Sequence, residues 1–194
     1  MDIDRFLRDP LSRRCFFRTS GVGFAGGAAV LLAACGDDDK TGVDDNAVER
    51  NQVDVEILNG ALDLELMAVA AYKEGAGLLG GDALQIVKDF LEQEQAHADA
   101  LASAIRDAKG EPNKAKSSYD FPELRSQRDV LTFAVVLENT AVAAYIDALP
   151  KLTKGDLRGT AAAILTNEAE HIAVLRDALG LPPVPEAFVT GEVR

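Results

Sequence analysis

Apolar residues recur at helical spacing in four stretches of the chain. From about residue 53 to residue 79 the recurring positions are Ile57, Leu58, Ala61, Leu62, Ala68, Val69 and Tyr72. Gly80-Gly81 stops this run, and Asp82 stands where it can cap the next. A second stretch, about 83–109, carries Ile86, Phe90, Leu101 and Ile105 and ends at Gly110-Glu111-Pro112. Residues 110–125 show no period. Ser126, with Asp129 three residues on, then has the form of a capping box in which Asp replaces the usual Glu or Gln. The third stretch closes at Leu149-Pro150. The fourth opens at Gly155-Asp156 and ends at Gly180-Leu181-Pro182-Pro183, a glycine followed by prolines. Strand-like alternation is scarce, so the pattern predicts an all-α four-helix bundle over residues 53–180.

Connection lengths predict the topology. Short turns join helices 1–2 and 3–4, which makes each pair an antiparallel hairpin. The connection over residues 110–125 could reach about 50 Å if extended. A helix the length of residues 83–109 measures only about 40 Å. A crossover along the whole bundle is therefore open to this chain, in place of simple up-down-up-down connectivity.

The residues ahead of the bundle read as an address. Five arginines lie within residues 1–20, and residues 21–34 are uncharged and rich in Gly, Ala and Leu. That order is the form of a signal peptide, and its apolar part is too short to span a bilayer. Arg13-Arg14, followed by Cys15-Phe16-Phe17, resembles a twin-arginine (Tat) export signal. Leu32-Ala33-Ala34-Cys35-Gly36 resembles a lipobox, which implies cleavage before Cys35 and lipidation of its sulfur. The expected arrangement is a Tat-type lipoprotein signal over residues 1–35 and an acidic flexible tether over 36–52, followed by the bundle and a tail over 181–194 without motif. The lipid would hold the protein at the outer face of the cytoplasmic membrane or in the periplasm.

Charge and rare residues narrow the chemistry. With 20 Lys+Arg against 32 Asp+Glu, the net charge of −12 argues against nucleic acid as partner. Both cysteines precede Gly36, so a cysteine metal site in the bundle is excluded. Two histidines remain, His97 and His171, and each has a glutamate three residues before it, in Glu94-Gln95-Ala96-His97 and Glu168-Ala169-Glu170-His171. Residues three apart share a helix face, so each pair can point at one spot.

The two pairs belong to a repeat. Leu64-Glu65-Leu66-Met67-Ala68-Val69-Ala70-Ala71-Tyr72 and Leu137-Glu138-Asn139-Thr140-Ala141-Val142-Ala143-Ala144-Tyr145 share L-E-x-x-A-V-A-A-Y at an offset of 73, and the two E-x-x-H pairs are offset by 74. Glu65 lies 15 residues before Gly80, and Glu94 lies 14 after it. Glu138 lies 15 before Thr153, and Glu168 lies 15 after it. At about 1.5 Å per residue, all six side chains can meet at one depth. Four carboxylates there would repel one another, and two divalent cations would cancel their charge. A mixed carboxylate and imidazole set suits Fe, Mn or Zn rather than Mg or Ca.

Glu, Glu-x-x-His, Glu, Glu-x-x-His over four helices is the ligand order of di-iron and di-manganese carboxylate bundles. In this the chain resembles the ferritin-like superfamily, closest in pattern to bacterioferritin and rubrerythrin. The resemblance implies two divalent Fe or Mn ions, with Glu65 and Glu138 as terminal ligands, Glu94 and Glu168 as bridges, and His97 and His171 binding one ion each. It also implies that Tyr72 and Tyr145, each seven residues after a ligand glutamate, stand beside the site and can serve as electron donors. Met67, two residues from Glu65, lies on another face and is expected to pack rather than to bind haem. Asp63 and Glu170 are expected among the solvated charges, Glu170 with a place on an access path.

The function this implies is Fe(II) oxidation or peroxide removal, with O₂ or peroxide as substrate. The alternative is a metal-binding or stress-protective surface protein whose site does not turn over. A homodimer is among the assemblies the reading allows.

Overall fold

The computed structural model describes residues 45–192, so the expectations for Arg13, Arg14, Cys35 and the tether up to residue 44 lie outside the described residues. Helix α1 (Asp45–Gly75) passes through a 3₁₀ turn (Ala76–Leu78) into α2 (Gly81–Asp107). After the crossover come α3 (Gln127–Ala148) and α4 (Gly155–Ala178).

Polar bonds fix which helix ends meet. At one end Asn51 donates to the carbonyl of Ala108 and accepts from Lys154 Nζ at 2.6 Å. Also at this end, buried Asp54 accepts from both the backbone N–H and the hydroxyl of Thr153, each at 2.7 Å. At the other end the Gly80 N–H donates to Gln127 Oε1 at 3.2 Å. Helix α3 therefore starts where α1 finishes, and residues 108–126 travel the length of the bundle. Asn59 holds this crossover against α1 through Glu111 O and the Asn113 N–H, and Asp63 holds it by accepting from Asn113 Nδ2 at 3.0 Å. Asp63 is thus half-buried and anchoring, not the solvated charge expected from sequence. The fold is an all-α four-helix bundle of two antiparallel hairpins.

Three boundaries differ from the sequence expectation. Helix α1 begins at Asp45, so part of the expected flexible tether is helical. That segment has no apolar stripe, and polar contacts of Asn51 and Asp54 with distant parts of the chain hold it down instead. The N-cap of α2 is Gly80, with no side-chain cap; Asp82 lies in the first turn, where its charge favours the helix N-terminus. At the C-terminus of α2 it is Lys109 that takes the left-handed conformation (φ 63°). Gly110 is needed for close approach, since a Cβ there would sit 2.6 Å from Val55 Cγ1.

The other two caps match expectation. Ser126 Oγ accepts from the Asp129 N–H at 3.2 Å, and Asp129 Oδ2 accepts from the Arg125 N–H at 2.9 Å, one residue short of the usual reciprocal bond. Gly180 (φ 72°) closes α4 in a Schellman motif, with Leu181 N–H bonded to Arg176 O.

Helix α3 is buried almost all round, with Leu131, Phe133, Val136, Leu137, Val142 and Tyr145 all within the core. It is long and apolar enough to cross a membrane, but two-thirds of it is buried in the bundle, as for the central helix of a folded domain. Tyr119, Phe121 and Leu124 of the crossover cover one of its sides against Phe133 and Val136. The tail returns over another side, where Gly191 (φ 77°) packs against the backbone of Asn139 and Ala143. A cavity of about 430 Å³ lies under this tail, lined by residues such as Val135, Ile172 and Phe188 and by none of the six sequence-predicted site residues.

Candidate metal centre

Each helix brings its share of the site to mid-bundle because the apolar stripes on either side fix its rotation. Glu65 projects from α1, Glu94 and His97 from α2, Glu138 from α3, and Glu168 and His171 from α4. Five of these are 0–1% exposed, and the His97 side chain is 13% exposed. All six sequence-predicted residues come together. Their ligand atoms form two overlapping groups, Glu65-Glu94-His97-Glu168 and Glu94-Glu138-Glu168-His171, each within a 4.8 Å span. Glu94 and Glu168 belong to both.

The histidines face the carboxylates through Nδ1. His97 Nδ1 lies 3.0 Å from Glu168, 3.5 Å from Glu65 and 3.9 Å from Glu94. His171 Nδ1 lies 3.1 Å from Glu94, 3.3 Å from Glu168 and 3.5 Å from Glu138. These approaches lack hydrogen-bond alignment. Glu94 Oε1, both oxygens of Glu168 and Nδ1 of each histidine are buried without a hydrogen-bond partner. Buried polar atoms normally find partners. Five such atoms aimed into one space are the signature of a site built for cations, and the donor set fits a pair of divalent transition-metal ions.

Both tyrosines reach the site, and they cross over. Tyr72 of α1 donates its hydroxyl to Glu138 of α3, and Tyr145 of α3 donates to Glu65 of α1. Each glutamate is thus held by the tyrosine of the other repeat. Burial, reinforced by the neighbouring Glu138 and Glu65 charges respectively, pushes both phenols well above their ordinary pKa, so both stay protonated and donating.

Electrostatics without metal is dominated by crowding. Burial, then the charges of Glu138 and Glu65, raises Glu94 well above the carboxylate range and pushes Glu168 up to about 8. Burial alone would lower the histidines, but the surrounding carboxylates outweigh it and push His97 up to about 12 and His171 to about 11. Glu138 is also pushed up by burial, yet His171, Glu168 and Tyr72 stabilise its charge and leave it below the ordinary value. Protons therefore do in the metal-free cluster what two cations would do in the loaded one.

Gln93 was not singled out from sequence. Its Oε1 accepts from His171 Nε2 at 2.6 Å, and the Phe90 ring stacks on His171 at 3.9 Å between centroids. A long amide one residue before a ligand glutamate was the available signal. Met67 is buried among Leu64, Phe133 and Val136, as packing predicts. Glu170 is exposed and borders the cavity under the tail.

The family described as ferritin-like domain matches residues 53–181. No curated protein sequence matches the chain at a significant level. Among solved structures, a conserved hypothetical protein from Mycobacterium tuberculosis is similar at 24% identity and TM-score 0.65, covering 72% of this chain and 99% of its own. A ferritin-like, diiron-carboxylate protein from Bacillus anthracis is similar at 22% identity and TM-score 0.58, over 69% of this chain and 97% of its own. The bacterioferritin of Desulfovibrio desulfuricans, described with a diiron site, is similar at 19% identity and TM-score 0.63, over 76% of this chain and 99% of its own.

Proposed function

The chain belongs to the ferritin-like domain family, and on that footing we propose that its dinuclear centre oxidises Fe(II) with dioxygen or removes peroxide. Glu65 and His97 would hold one ion and Glu138 and His171 the other, with Glu94 and Glu168, which belong to both groups, serving both. The observation that carries this reading is the set of five buried, unpartnered ligand atoms at one depth. Iron is favoured over manganese by the diiron proteins among the similar structures.

A pair of iron ions held there would supply the two electrons that dioxygen needs, with two protons, to become hydrogen peroxide. The protein's own residues make this practicable. Glu94 and Glu168, ionised on loading, supply negative charge to both positions. Tyr72 and Tyr145 keep the outer carboxylates oriented through their donated bonds. The α3 core excludes water from one side, and partly exposed His97 leaves access at the other.

The bundle works outside the cytoplasm in this reading, on the strength of the Arg13-Arg14 pair and the Cys35 lipobox. Lysine in place of both arginines is expected to retain the protein in the cytoplasm, and Cys35→Ala to release it from the membrane fraction.

The chemical test loads the full chain with Fe(II) without oxygen, admits air, and follows near-ultraviolet absorbance and oxygen uptake. Rapid oxidation that Glu94→Ala abolishes supports the proposal. A flat trace from a fully loaded site leaves a metal-binding protein without turnover.

A further inference from the structure

The two histidines occupy equivalent places in the repeat and unequal surroundings in the bundle. His171 is 1% exposed, lies flat against Phe90, and is bonded from Nε2 to Gln93. The His97 side chain is 13% exposed, and none of the described residues hydrogen-bonds its Nε2. The offset of 74 that carries His97 onto His171 carries Phe90 onto Ile164 and Gln93 onto Asn167. An isoleucine has no ring to stack. Asn167 is one methylene shorter than Gln93, and its amide turns to Glu170 at 3.4 Å. Helix α2 therefore braces the histidine of α4, and α4 returns no such support.

This matters because a histidine that binds metal through Nδ1 must carry its proton on Nε2. An acceptor fixed at Nε2 selects that tautomer, sets the ring plane and makes Nδ1 a better donor. Gln93 Oε1 does so for His171, whereas no described residue does so for His97. Partners of this kind are worth about 10- to 100-fold in metal affinity.

We infer that the two ion positions differ in retention: the one served by Glu138 and His171 keeps its ion, the one served by Glu65 and His97 exchanges with solvent, and Gln93 is the positioning residue that sets the difference. This rests on the dinuclear reading above. An exchanging position beside a retained one lets the centre take up a fresh divalent ion without being dismantled.

The test titrates the metal-free full chain with Co(II), following its visible absorption and the heat of binding, so that no turnover is needed. Wild type is expected to take two ions in resolved steps at least about tenfold apart. His97→Ala should remove only the weaker step. Gln93→Leu, at an exposed position, should weaken the tighter step by about 10- to 100-fold and spare the weaker. Asn167→Gln should tighten the weaker step alone. Two equal steps in wild type, loss of the tighter step in His97→Ala, or a Gln93→Leu variant that shifts both steps alike or neither would overturn the inference and leave the dinuclear reading standing. A wild-type chain that takes up no Co(II) would remove both.

Discussion

The α1–α3 side of the centre and its α2–α4 side use their polar atoms in opposite ways. On the first side, each glutamate is tied to a tyrosine of the facing helix, and the crossover packs over the outside. On the second, ligand atoms of Glu94, His97, Glu168 and His171 are buried without partners, and His97 reaches toward solvent. One side is satisfied before any metal arrives, and the other is satisfied by the metal. A bundle can thus fold around a cluster that would otherwise repel itself, because half of the cluster is already hydrogen-bonded by the tyrosines and the remainder takes up protons.

The largest break in this comparison should come from the shared carboxylates. Glu94→Ala and Glu168→Ala are expected to lose both ions, while Glu65→Ala and Glu138→Ala lose one, as read by metal analysis after dialysis. Without metal, Glu168→Gln should melt higher than wild type above about pH 8, where the glutamate would carry its charge into a crowded buried set. One ion retained in Glu94→Ala would show that the bridging assignment is wrong.

Acidity should act on the α2–α4 side next most strongly. Loading requires neutral imidazoles and ionised carboxylates, but at neutral pH His97, His171 and Glu168 hold protons in the metal-free cluster. Metal must displace them, so apparent affinity rises with pH by about tenfold per unit for each proton released. Mn(II) titrations between about pH 6 and pH 8 should show a rise of at least about a hundredfold per unit. Stability of the metal-free fold runs the other way. A carboxyl whose pKa is raised from 4.5 to about 8 adds stability that is fully present below 4.5 and lost as pH rises through 8. The metal-free melting temperature should therefore fall across that window, and a flat affinity profile would contradict the proton-filled cluster.

A smaller effect is expected on the α1–α3 side. Tyr72→Phe removes the donor to Glu138, and Tyr145→Phe the donor to Glu65. Leaving a buried acceptor unsatisfied costs about 1–3 kcal/mol. The crossing makes the signature specific, since Tyr72→Phe should weaken the ion beside Glu138 on the other repeat and not the one beside Glu65. Thermal unfolding and stepwise Co(II) titration of both variants would read this, and the uncrossed pattern would contradict the observed pairing.

The contrast between the two sides also separates what the sequence discloses from what it conceals. Helices α2 to α4, the full-length crossover and the six converging side chains are legible because each rests on local spacing: 3.6-residue stripes, punctuation by Gly and Pro, and a repeat that keeps Glu and Glu-x-x-His in step. The start of α1 at Asp45 is hidden, since Asn51 and Asp54 find their partners at Ala108 and Thr153, far along the chain. The tyrosines could be placed near the site, yet which glutamate each serves depends on how α1 and α3 face one another. Gln93 is hidden for the same reason, being one exposed amide among many until α4 brings His171 against it.

The smallest expected effect lies away from both sides, at the start of α3. Ser126 accepts from the Asp129 N–H and supplies the only side-chain cap among the three α-helix starts whose caps are assigned in the described residues. Replacing an N-cap serine by alanine typically costs about 1 kcal/mol. Glu138 lies twelve residues further on, about 18 Å along the helix, beyond the reach of a frayed first turn. Ser126→Ala is therefore expected to lower the melting temperature by a few degrees while leaving metal content and the spacing of the two Co(II) steps unchanged. A loss of metal in this variant would mean that α3 moves as one rigid piece and that the satisfied side of the centre depends on its distant end.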